Sequence, residues 1–177
     1  DEPLIMVDHF DQVLGHASKF ACHEGNGILH RAFSVFIFNR QNEVLLQKRS
    51  HAKPLWPAFW SNSCCSHPRR GEGDLQAAER RLQEELSVQC VPRFLYRFRY
   101  KAFYEDIGTE HELCSVYAAR WDGPIEVNSN EVDDWVFMSP QSLDRRIDEH
   151  PDHFTPWLKL EWQRIRGEFW SNIEGLA

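Results

Sequence analysis

Alternating apolar and polar residues predict extended strands in the first fifty residues. The segments Leu4–Val7 and Val13–Lys19 flank the turn-like stretch Asp8–Asp11, an arrangement that predicts a β-hairpin. Two longer apolar runs, His30–Phe38 and Val44–Arg49, are separated by a short polar stretch and predict a second hairpin. Two antiparallel strand pairs are therefore expected before the first helix.

The next periodic segment predicts a helix. It starts at Asp74, a suitable N-cap, and its apolar residues recur at spacings of three or four, at Leu75, Ala78, Leu82 and Leu86. We expect it to end near Ser87. Beyond it, aromatic residues alternate with other side chains at Phe94, Tyr96, Phe98 and Tyr100, which predicts another strand.

The rest of the chain mixes strand and helix signals. Glu110–Ala119 has a period of two, so Glu110, Glu112 and Cys114 should share one strand face. Trp135–Met138 predicts a short strand. Ser139-Pro140 and Thr155-Pro156 each have an N-cap residue before a proline, and the last helix presents Leu158, Trp162, Ile165 and Phe169 on one side. The fold class is therefore α/β, with a mixed or mostly antiparallel sheet packed against helices.

The composition is that of a folded protein and limits its partners. Of the 177 residues, 42% are hydrophobic and 27% are charged, a balance typical of a globular domain. The net charge of −7 argues against a general nucleic-acid binder, because such a protein needs excess cations to displace counterions from phosphates. No apolar stretch approaches the roughly 20 residues that cross a bilayer. We therefore expect a cytoplasmic monomer that binds neither nucleic acid nor a membrane.

The cysteines do not suggest a disulfide framework. There are five, an odd number without CxxC spacing, so reduced thiols are expected. Four are predicted to behave as small buried apolar residues, and these are Cys22, Cys64, Cys90 and Cys114.

Two short segments carry candidate chemistry. Cys65 precedes His67 by two residues, and Glu110 and Glu112 are also two residues apart. A thiol and a carboxylate can each transfer a proton near neutral pH once their pKa values move from about 8.5 and 4.3. In a strand, both carboxylates can point at one metal ion. The segments predict an acid/base site beside a metal, with a cysteine hydrolase using Cys65 and His67 as the alternative.

The segment from Ser66 to Val88 resembles the Nudix box. It matches the pattern G-x5-E-x7-R-E-U-x-E-E-x-G-U at Glu72, Arg80, Leu82, Glu84 and Glu85. Three signature positions are altered, because Gly, Glu and Gly are replaced by Ser66, Arg81 and Ser87. In Nudix hydrolases the glutamates gather magnesium ions that activate water against a diphosphate, so an arginine among them reverses a charge. The box therefore favours the fold more than the hydrolysis.

A second resemblance covers nearly the whole chain. The segments that carry it occur in order and are Lys19–His23, Leu29–Ser34, Arg49–Lys53, Trp60–Pro68, Glu110–Glu112 and Thr155–Trp157. In them the chain is similar to the type 1 isopentenyl diphosphate isomerases, a Nudix-fold family. The resemblance implies one Nudix-type isomerase domain over residues 1–177. It also implies an isoprenoid diphosphate as the small-molecule partner.

The resemblance implies two metal ions. The family binds one divalent ion through three histidines and two glutamates, which match His23, His30, His67, Glu110 and Glu112. Imidazoles favour zinc or manganese, whereas carboxylates also suit magnesium, so Mn²⁺, Zn²⁺ and Mg²⁺ all remain open. Glu85 matches the residue that helps a Mg²⁺ ion bridge to the diphosphate, and this second ion would arrive with the substrate.

The resemblance also implies catalytic and substrate-binding roles. Cys65 and Glu112 match the two acid/base groups on opposite faces of the substrate, with Tyr100 near the glutamate and Trp157 against the developing cation. Two separated groups suit a reaction that protonates one carbon and deprotonates another. The cations that match the diphosphate-binding positions are Lys19, Arg49, Lys53 and Arg81.

Two other functions remain open from the sequence. A Nudix pyrophosphohydrolase would use Glu72, Glu84 and Glu85. A non-enzymatic relative would only bind an isoprenoid diphosphate, and the presence of both Cys65 and Glu112 weighs against it.

Overall fold

An almost continuous apolar run forms the central strand β3, His30–Phe38. Such runs are typical of strands that are buried on both faces. In the computed structural model, which describes residues 2–177, β3 pairs with four other strands of one mixed sheet. The other strands are β1 Pro3–Val7, β2 Val13–Ser18, β4 Val44–Arg49, β5 Trp60–Ser61, β6 Cys64–Ser66, β7 Arg93–Tyr104, β8 Gly108–Arg120 and β9 Val132–Met138.

The pairing around β3 makes the sheet mixed. β3 runs parallel to β8 along its whole length, from His30 beside Glu112 to Phe38 beside Arg120. It runs antiparallel to β6, with Ser34 beside Cys65. β8 also pairs antiparallel with β7, and β4 with β9. The predicted α/β class with a mixed sheet is confirmed.

Side chains of β3 alternate between two apolar cores. Phe36 and Phe38 pack into the larger core with α4 residues such as Trp162. Phe33 and Val35 pack into the other core, beneath α2. Because neighbouring strand residues point to opposite faces, the odd-numbered and even-numbered positions of β3 belong to different cores.

Helices cover both faces of this sheet. They are α1 Lys19–His23, α2 Asp74–Leu86, α3 Pro140–Glu149, α4 Pro156–Glu168 and α5 Trp170–Glu174, with a 3₁₀ turn at Pro151–His153. Ser139 caps α3 as predicted, accepting a hydrogen bond from the Ser142 amide at 3.1 Å. The helix α2 ends as predicted, where Ser87 adopts a left-handed conformation with φ of 57°. Among residues 2–177, no helix is long and apolar enough to cross a bilayer.

Several local predictions were wrong. β3 and β4 do not form a regular hairpin, because only Phe38 and Val44 pair before the strands diverge to β8 and β9. The first helix is not α2, since Lys19 ends the predicted strand by starting α1. Asp74 is not the N-cap of α2 but its first residue, and Gly73 takes the cap position. Three short elements had too little periodicity to be predicted, and these are β5, β6 and α5.

Two predicted apolar positions also proved to be exposed. Leu75 is 38% exposed, and the buried face of α2 is carried by Ala77, Ala78, Leu82, Glu85 and Leu86. Phe94 is 54% exposed, because the pairing of β7 with β8 shifts between Phe94 and Tyr96. This irregularity changes which residues of β7 face the core.

Candidate active site

The strand register brings distant polar residues together at one end of β3. His30 begins β3 and lies directly beside Glu112 of β8. The antiparallel strand β6 ends at Ser66, opposite Phe33, so His67 follows at the same end of the sheet. His23 closes the short helix α1, whose N-cap Ser18 accepts a hydrogen bond from the Ala21 amide at 3.1 Å. Four elements therefore contribute to one site.

The five residues predicted as metal ligands form one cluster. Their ligand atoms all lie within 4.8 Å of one another, on His23, His30, His67, Glu110 and Glu112. A Glu110 oxygen is 2.9 Å from His23 Nε2, and a Glu112 oxygen is 2.8 Å from His67 Nε2. Four of the five residues are buried. This donor set is compatible with a divalent metal ion.

The backbone orients two of the imidazoles. Nδ1 of His23 lies 2.6 Å from the Lys19 carbonyl, and Nδ1 of His30 lies 2.7 Å from the Ile28 carbonyl. A carbonyl can only accept, so each Nδ1 carries a proton and each Nε2 faces the cluster. Nε2 of His30 is buried and makes no hydrogen bond, although a Glu112 oxygen lies 3.4 Å away. A buried polar atom of this kind calls for a ligand, and a metal ion satisfies it.

Burial also favours the neutral imidazole at His67. Burial and the neighbouring His30 hold the pKa of His67 well below its ordinary value. A neutral imidazole has the free lone pair that metal coordination requires. His23 differs, because burial lowers its pKa but the hydrogen bond and charge of Glu110 outweigh burial and raise it. The residues present fit a divalent ion by geometry, and His67 also fits by its protonation state.

Cys65 and Glu112 line the same cavity, which has a volume of about 590 Å³. His23, His67 and Glu110 of the metal cluster lie in its wall, as do Tyr100 and Trp157. The predicted cations are there as well, since the lining includes Lys19, Arg49, Lys53 and Arg81. One space thus contains a cluster of potential metal ligands, a thiol, aromatic rings and four basic side chains.

The two acid/base candidates have opposite preferred protonation states. Burial raises the pKa of Cys65 to about 12, so the thiol keeps its proton at neutral pH. Burial raises the pKa of Glu112 as well. His30 and the Tyr100 hydroxyl lower it by more than burial raises it, so the pKa lies below its ordinary value. The Tyr100 hydroxyl donates a hydrogen bond to Glu112. The cavity wall therefore presents a proton donor and a proton acceptor.

Trp157 is held firmly in the cavity wall. It is 3% exposed, and its Nε1 donates to Ser61 Oγ at 3.0 Å and to Asn62 Oδ1 at 3.2 Å. The guanidinium carbon of Arg49 lies 5.2 Å from the centre of the indole ring. These contacts restrict the ring to one orientation, as a face that stabilises positive charge requires.

The basic residues retain donors for an anion. Arg49 donates to the carbonyls of Trp56 and Leu55 at 3.1 and 2.9 Å. Arg81 contacts carboxylates through its terminal nitrogens, but its Nε is buried without a hydrogen-bond partner. Burial lowers the pKa of Lys19, and the positive charge of the nearby Lys53 lowers it as well. A phosphate group would add acceptors and negative charge for the donors that remain.

Comparisons with known proteins place this geometry in a family. Residues 28–158 match the NUDIX domain family. Isopentenyl-diphosphate Delta-isomerase 1 of Photorhabdus laumondii is 43% identical over 93% of this chain and 94% of that protein. Isopentenyl-diphosphate Delta-isomerase of Serratia proteamaculans is 40% identical over 89% and 88%. The chain belongs to the isopentenyl-diphosphate Delta-isomerase family. Its fold is that of a NUDIX domain.

Solved structures resemble this isomerase-family chain in fold. A Deinococcus radiodurans protein, DR0079, superposes with a TM-score of 0.69 at 24% identity, over 84% of this chain and 90% of that one. A MutT protein from Methanosarcina mazei gives a TM-score of 0.67 at 14% identity, over 79% and 94%. At these identities the likeness describes the fold alone.

The Nudix-box glutamates lie apart from the five-residue cluster. Glu72 pairs with Arg80 at 2.7 Å, and Glu84 pairs with Arg81 at 2.7 Å. Glu85 is 2% exposed and accepts a hydrogen bond from the Cys64 thiol at 2.7 Å. Within residues 2–177, these glutamates belong to no group of three or more potential metal ligands. In this isomerase-family chain, two of the three box glutamates therefore form salt bridges with arginines of helix α2.

Cys64 and the other thiols fall mostly where they were expected. All five cysteines are free, and Cys22, Cys64 and Cys114 are buried, whereas Cys90 is half-buried. Cys64 lies beside Val35 in the core under α2, and Cys65 lies beside Ser34 on the opposite face. Cys64 is more than a packing residue, however, because its thiol contacts Glu85.

Two carboxylates near the site were missed by the sequence analysis. Glu131 pairs with Lys53 and lies 3.5 Å from Arg81. Glu161, on α4, is completely buried one helical turn after Trp157. Glu131 lies in a loop without periodicity, and nothing in its sequence context indicated a role. Glu161 could have been noticed, because it occupies an otherwise apolar position on the inner face of the last long helix.

Proposed function

We propose that this chain interconverts isopentenyl diphosphate and dimethylallyl diphosphate, the reaction for which its relatives are named. The observation that carries the proposal is the presence of Cys65 and Glu112 in one cavity wall, together with Trp157. The chain spans most of the length of those relatives, with 93% of it aligned to the first. The hydrolase alternative lacks a comparable arrangement, because Glu72 and Glu84 are paired with arginines.

The reaction needs one proton in and one proton out. Protonation of the terminal CH₂ of the alkene consumes the C3–C4 π bond and leaves a tertiary cation at C3. Loss of a proton from C2 then forms the C2–C3 π bond. We assign the two transfers to Cys65 and Glu112, whose protonation states exchange during a turnover. In the reverse reaction each group performs the opposite transfer.

The cationic intermediate must be protected from water. Trp157 is proposed to face it, and a cation over an indole is stabilised by roughly 0.5–2 kcal/mol. An enzyme lowers its barrier by at least about 8 kcal/mol, so the indole alone is insufficient. Placement of the proton-transfer groups and exclusion of water must provide most of the remainder.

Metal and phosphate contacts complete the proposed site. His23, His30, His67, Glu110 and Glu112 would hold one divalent ion, Mn²⁺, Zn²⁺ or Mg²⁺. When bound, this ion supplies positive charge that stabilises the Glu112 carboxylate. Tyr100 would orient the same carboxylate through its hydroxyl. The diphosphate would be bound by Lys19, Arg49, Lys53 and Arg81, with a Mg²⁺ ion accompanied by Glu85.

Incubation with isopentenyl diphosphate in deuterated water tests the proposal. With Mg²⁺ present and the divalent metal content verified, NMR should detect dimethylallyl diphosphate with deuterium on the carbon that gained the proton. Release of inorganic phosphate or pyrophosphate would instead indicate a hydrolase. Binding of the substrate without isomerisation or deuterium uptake would indicate a binding protein, and either result would refute the isomerase.

A further inference from the structure

Glu131 contacts two of the cations that are proposed to bind the diphosphate. Its carboxylate pairs with Lys53, and the same oxygen lies 3.5 Å from Arg81 Nη2. Lys53 and Arg81 both line the cavity and come from separate elements, the loop after β4 and the helix α2. Glu131 lies just before β9. It therefore joins three segments that are distant in sequence.

The backbone of Glu131 strengthens this link. Its carbonyl accepts a hydrogen bond from the Ser50 amide at 3.0 Å, and the Ser50 carbonyl accepts one from the Lys53 amide at 3.1 Å. The amide of Glu131 donates to the Asn128 carbonyl at 3.0 Å. The turn that carries Lys53 is thus attached to Glu131 through both main chain and side chain.

These contacts leave donors of both cations without a hydrogen-bond partner. A lysine ammonium has three N–H donors, so its bond to one carboxylate leaves two. Arg81 uses its terminal nitrogens for Glu84 at 2.7 Å and Glu85 at 3.3 Å, whereas its Nε is buried without a hydrogen-bond partner. Glu131 is not among the described residues that line the cavity. Its contacts with the two cations are therefore made outside the cavity wall.

Placing two cations close together costs free energy in the absence of a ligand. They repel each other, and long side chains lose conformational freedom when they are ordered. A carboxylate behind them offsets the repulsion and orders them before the ligand arrives. The pKa of Glu131 is accordingly lowered, because Lys53 and Arg81 outweigh the effect of burial, which raises it. A ligand that meets ordered donors binds more tightly.

We propose that Glu131 is a positioning residue for the diphosphate, which holds Lys53 and Arg81 in the orientation that binds the phosphate groups. This inference rests on the proposed function, since it concerns the same cation set. It assigns to Glu131 no contact with the substrate and no proton transfer.

Inorganic pyrophosphate provides a test that does not depend on turnover. Its dissociation constant would be measured by calorimetry at a fixed Mg²⁺ concentration for the wild type and for Glu131→Gln. We expect the variant to bind pyrophosphate about tenfold more weakly, because a neutral amide holds the two cations less strongly than a carboxylate does. In steady-state assays the KM for isopentenyl diphosphate should rise by a similar factor, while kcat stays within about twofold.

Glu84→Gln is the matched control. Glu84 also contacts Arg81, but it is exposed and has no ion pair with Lys53 among residues 2–177. This variant should bind pyrophosphate within about twofold of the wild type. Glu131→Asp, which keeps the charge on a shorter side chain, should recover part of the lost affinity and guards against a Gln variant that folds poorly.

A double-mutant cycle decides whether Glu131 acts through Lys53. In a Lys53→Ala background, Glu131→Gln should weaken pyrophosphate binding by much less than tenfold. The proposal is wrong if Glu131→Gln binds pyrophosphate as tightly as the wild type or more tightly, because the carboxylate would then only neutralise the cations. Full additivity of the two changes would also contradict it. If the wild type bound pyrophosphate but did not isomerise the substrate, the proposed function would fail while the positioning role would stand.

Discussion

Cys64 and Cys65 are neighbours in the sequence but lie in different environments. β6 places Cys65 beside Ser34, on the face with the cavity, and Cys64 beside Val35, in the core under α2. Cys65 is partly exposed to the cavity, whereas Cys64 is completely buried and donates to Glu85. Their chemistry differs because strand residues alternate between faces.

This difference gives the first prediction, at the level of single residues. Cys65→Ser should lower kcat for isomerisation by at least about 100-fold, because a hydroxyl is a much weaker acid than a thiol. Cys64→Ser should stay within about threefold, since its hydroxyl can still donate to Glu85. Deuterium uptake measured by NMR would compare the two variants. Near-normal turnover by Cys65→Ser would remove the thiol from the mechanism.

Glu161 is an unusual buried side chain in the α4 helix. It is 0% exposed, and its Oε1 has no hydrogen-bond partner. Its other oxygen lies 3.6 Å from the Cys114 thiol. Burial raises the pKa of Glu161 to about 8. A neutral carboxylic acid is therefore favoured in the folded protein, whereas the unfolded chain ionises near pH 4.3.

The second prediction concerns stability and pH. The raised pKa of Glu161 means that the folded state holds this proton more tightly, so the associated stability is present below about pH 4.3 and is lost as the pH rises towards 8. Glu161→Gln cannot ionise and should exceed the wild type in unfolding free energy. The difference should grow between pH 5 and 8, reaching up to about 5 kcal/mol.

Urea unfolding at several pH values, at constant metal content, measures this difference. Glu168→Gln is the control, because Glu168 lies on the same helix with its side chain 59% exposed. Its difference from the wild type should change little with pH. A pH-independent effect of Glu161→Gln would show that Glu161 does not titrate in this range.

At the level of elements, the short helix α1 depends on a close approach of β8. His23 is its last residue, and a Cβ added at Gly108 would lie 2.9 Å from the His23 carbonyl oxygen and 2.8 Å from a Leu55 methyl. Backbone atoms cannot accommodate such contacts without moving. Gly108 therefore allows α1 to bring His23 close to the other four potential metal ligands.

The third prediction follows from this contact. Gly108→Ala should displace α1 and weaken binding of Mn²⁺ or Zn²⁺ by about tenfold, since ligand position controls metal affinity. Gly73→Ala is the matched control, because an added Cβ there meets nothing within 4 Å. Calorimetric titration of the metal-free protein would measure both affinities. If Gly108→Ala and Gly73→Ala bound the metal ion equally tightly, the added methyl at position 108 would not disturb the position of His23.

At the level of the whole molecule, the site combines local charges with an opposite net charge. The protein carries −7 overall, yet four basic side chains line one cavity. Glu110 and Glu112 line the same cavity at the histidine cluster, whereas Glu131 and Glu84 each pair with at least one of the basic residues. The net charge argues against general polyanion binding, but it could not locate the anion site.

Much of the candidate site was open to prediction from the sequence because its residues occur in short segments with characteristic spacing. The two glutamates of β8 were expected on one face from the period of two, and they lie there. The identity of His23, His30 and His67 as a set came from resemblance rather than from periodicity. An isolated histidine carries no local signal of what it will meet.

The longer strands, the helix α2 and the proline-marked helix starts were determined by the sequence alone, because periodicity and capping act over a few residues. The family was determined by short motifs in a fixed order. Tertiary structure alone decided the parallel pairing of β3 with β8, the short helix α1 and the positions of Glu131 and Glu161. Pairing partners, burial and pKa values depend on atoms that are far apart in the chain. No local pattern contains that information until the sheet has formed.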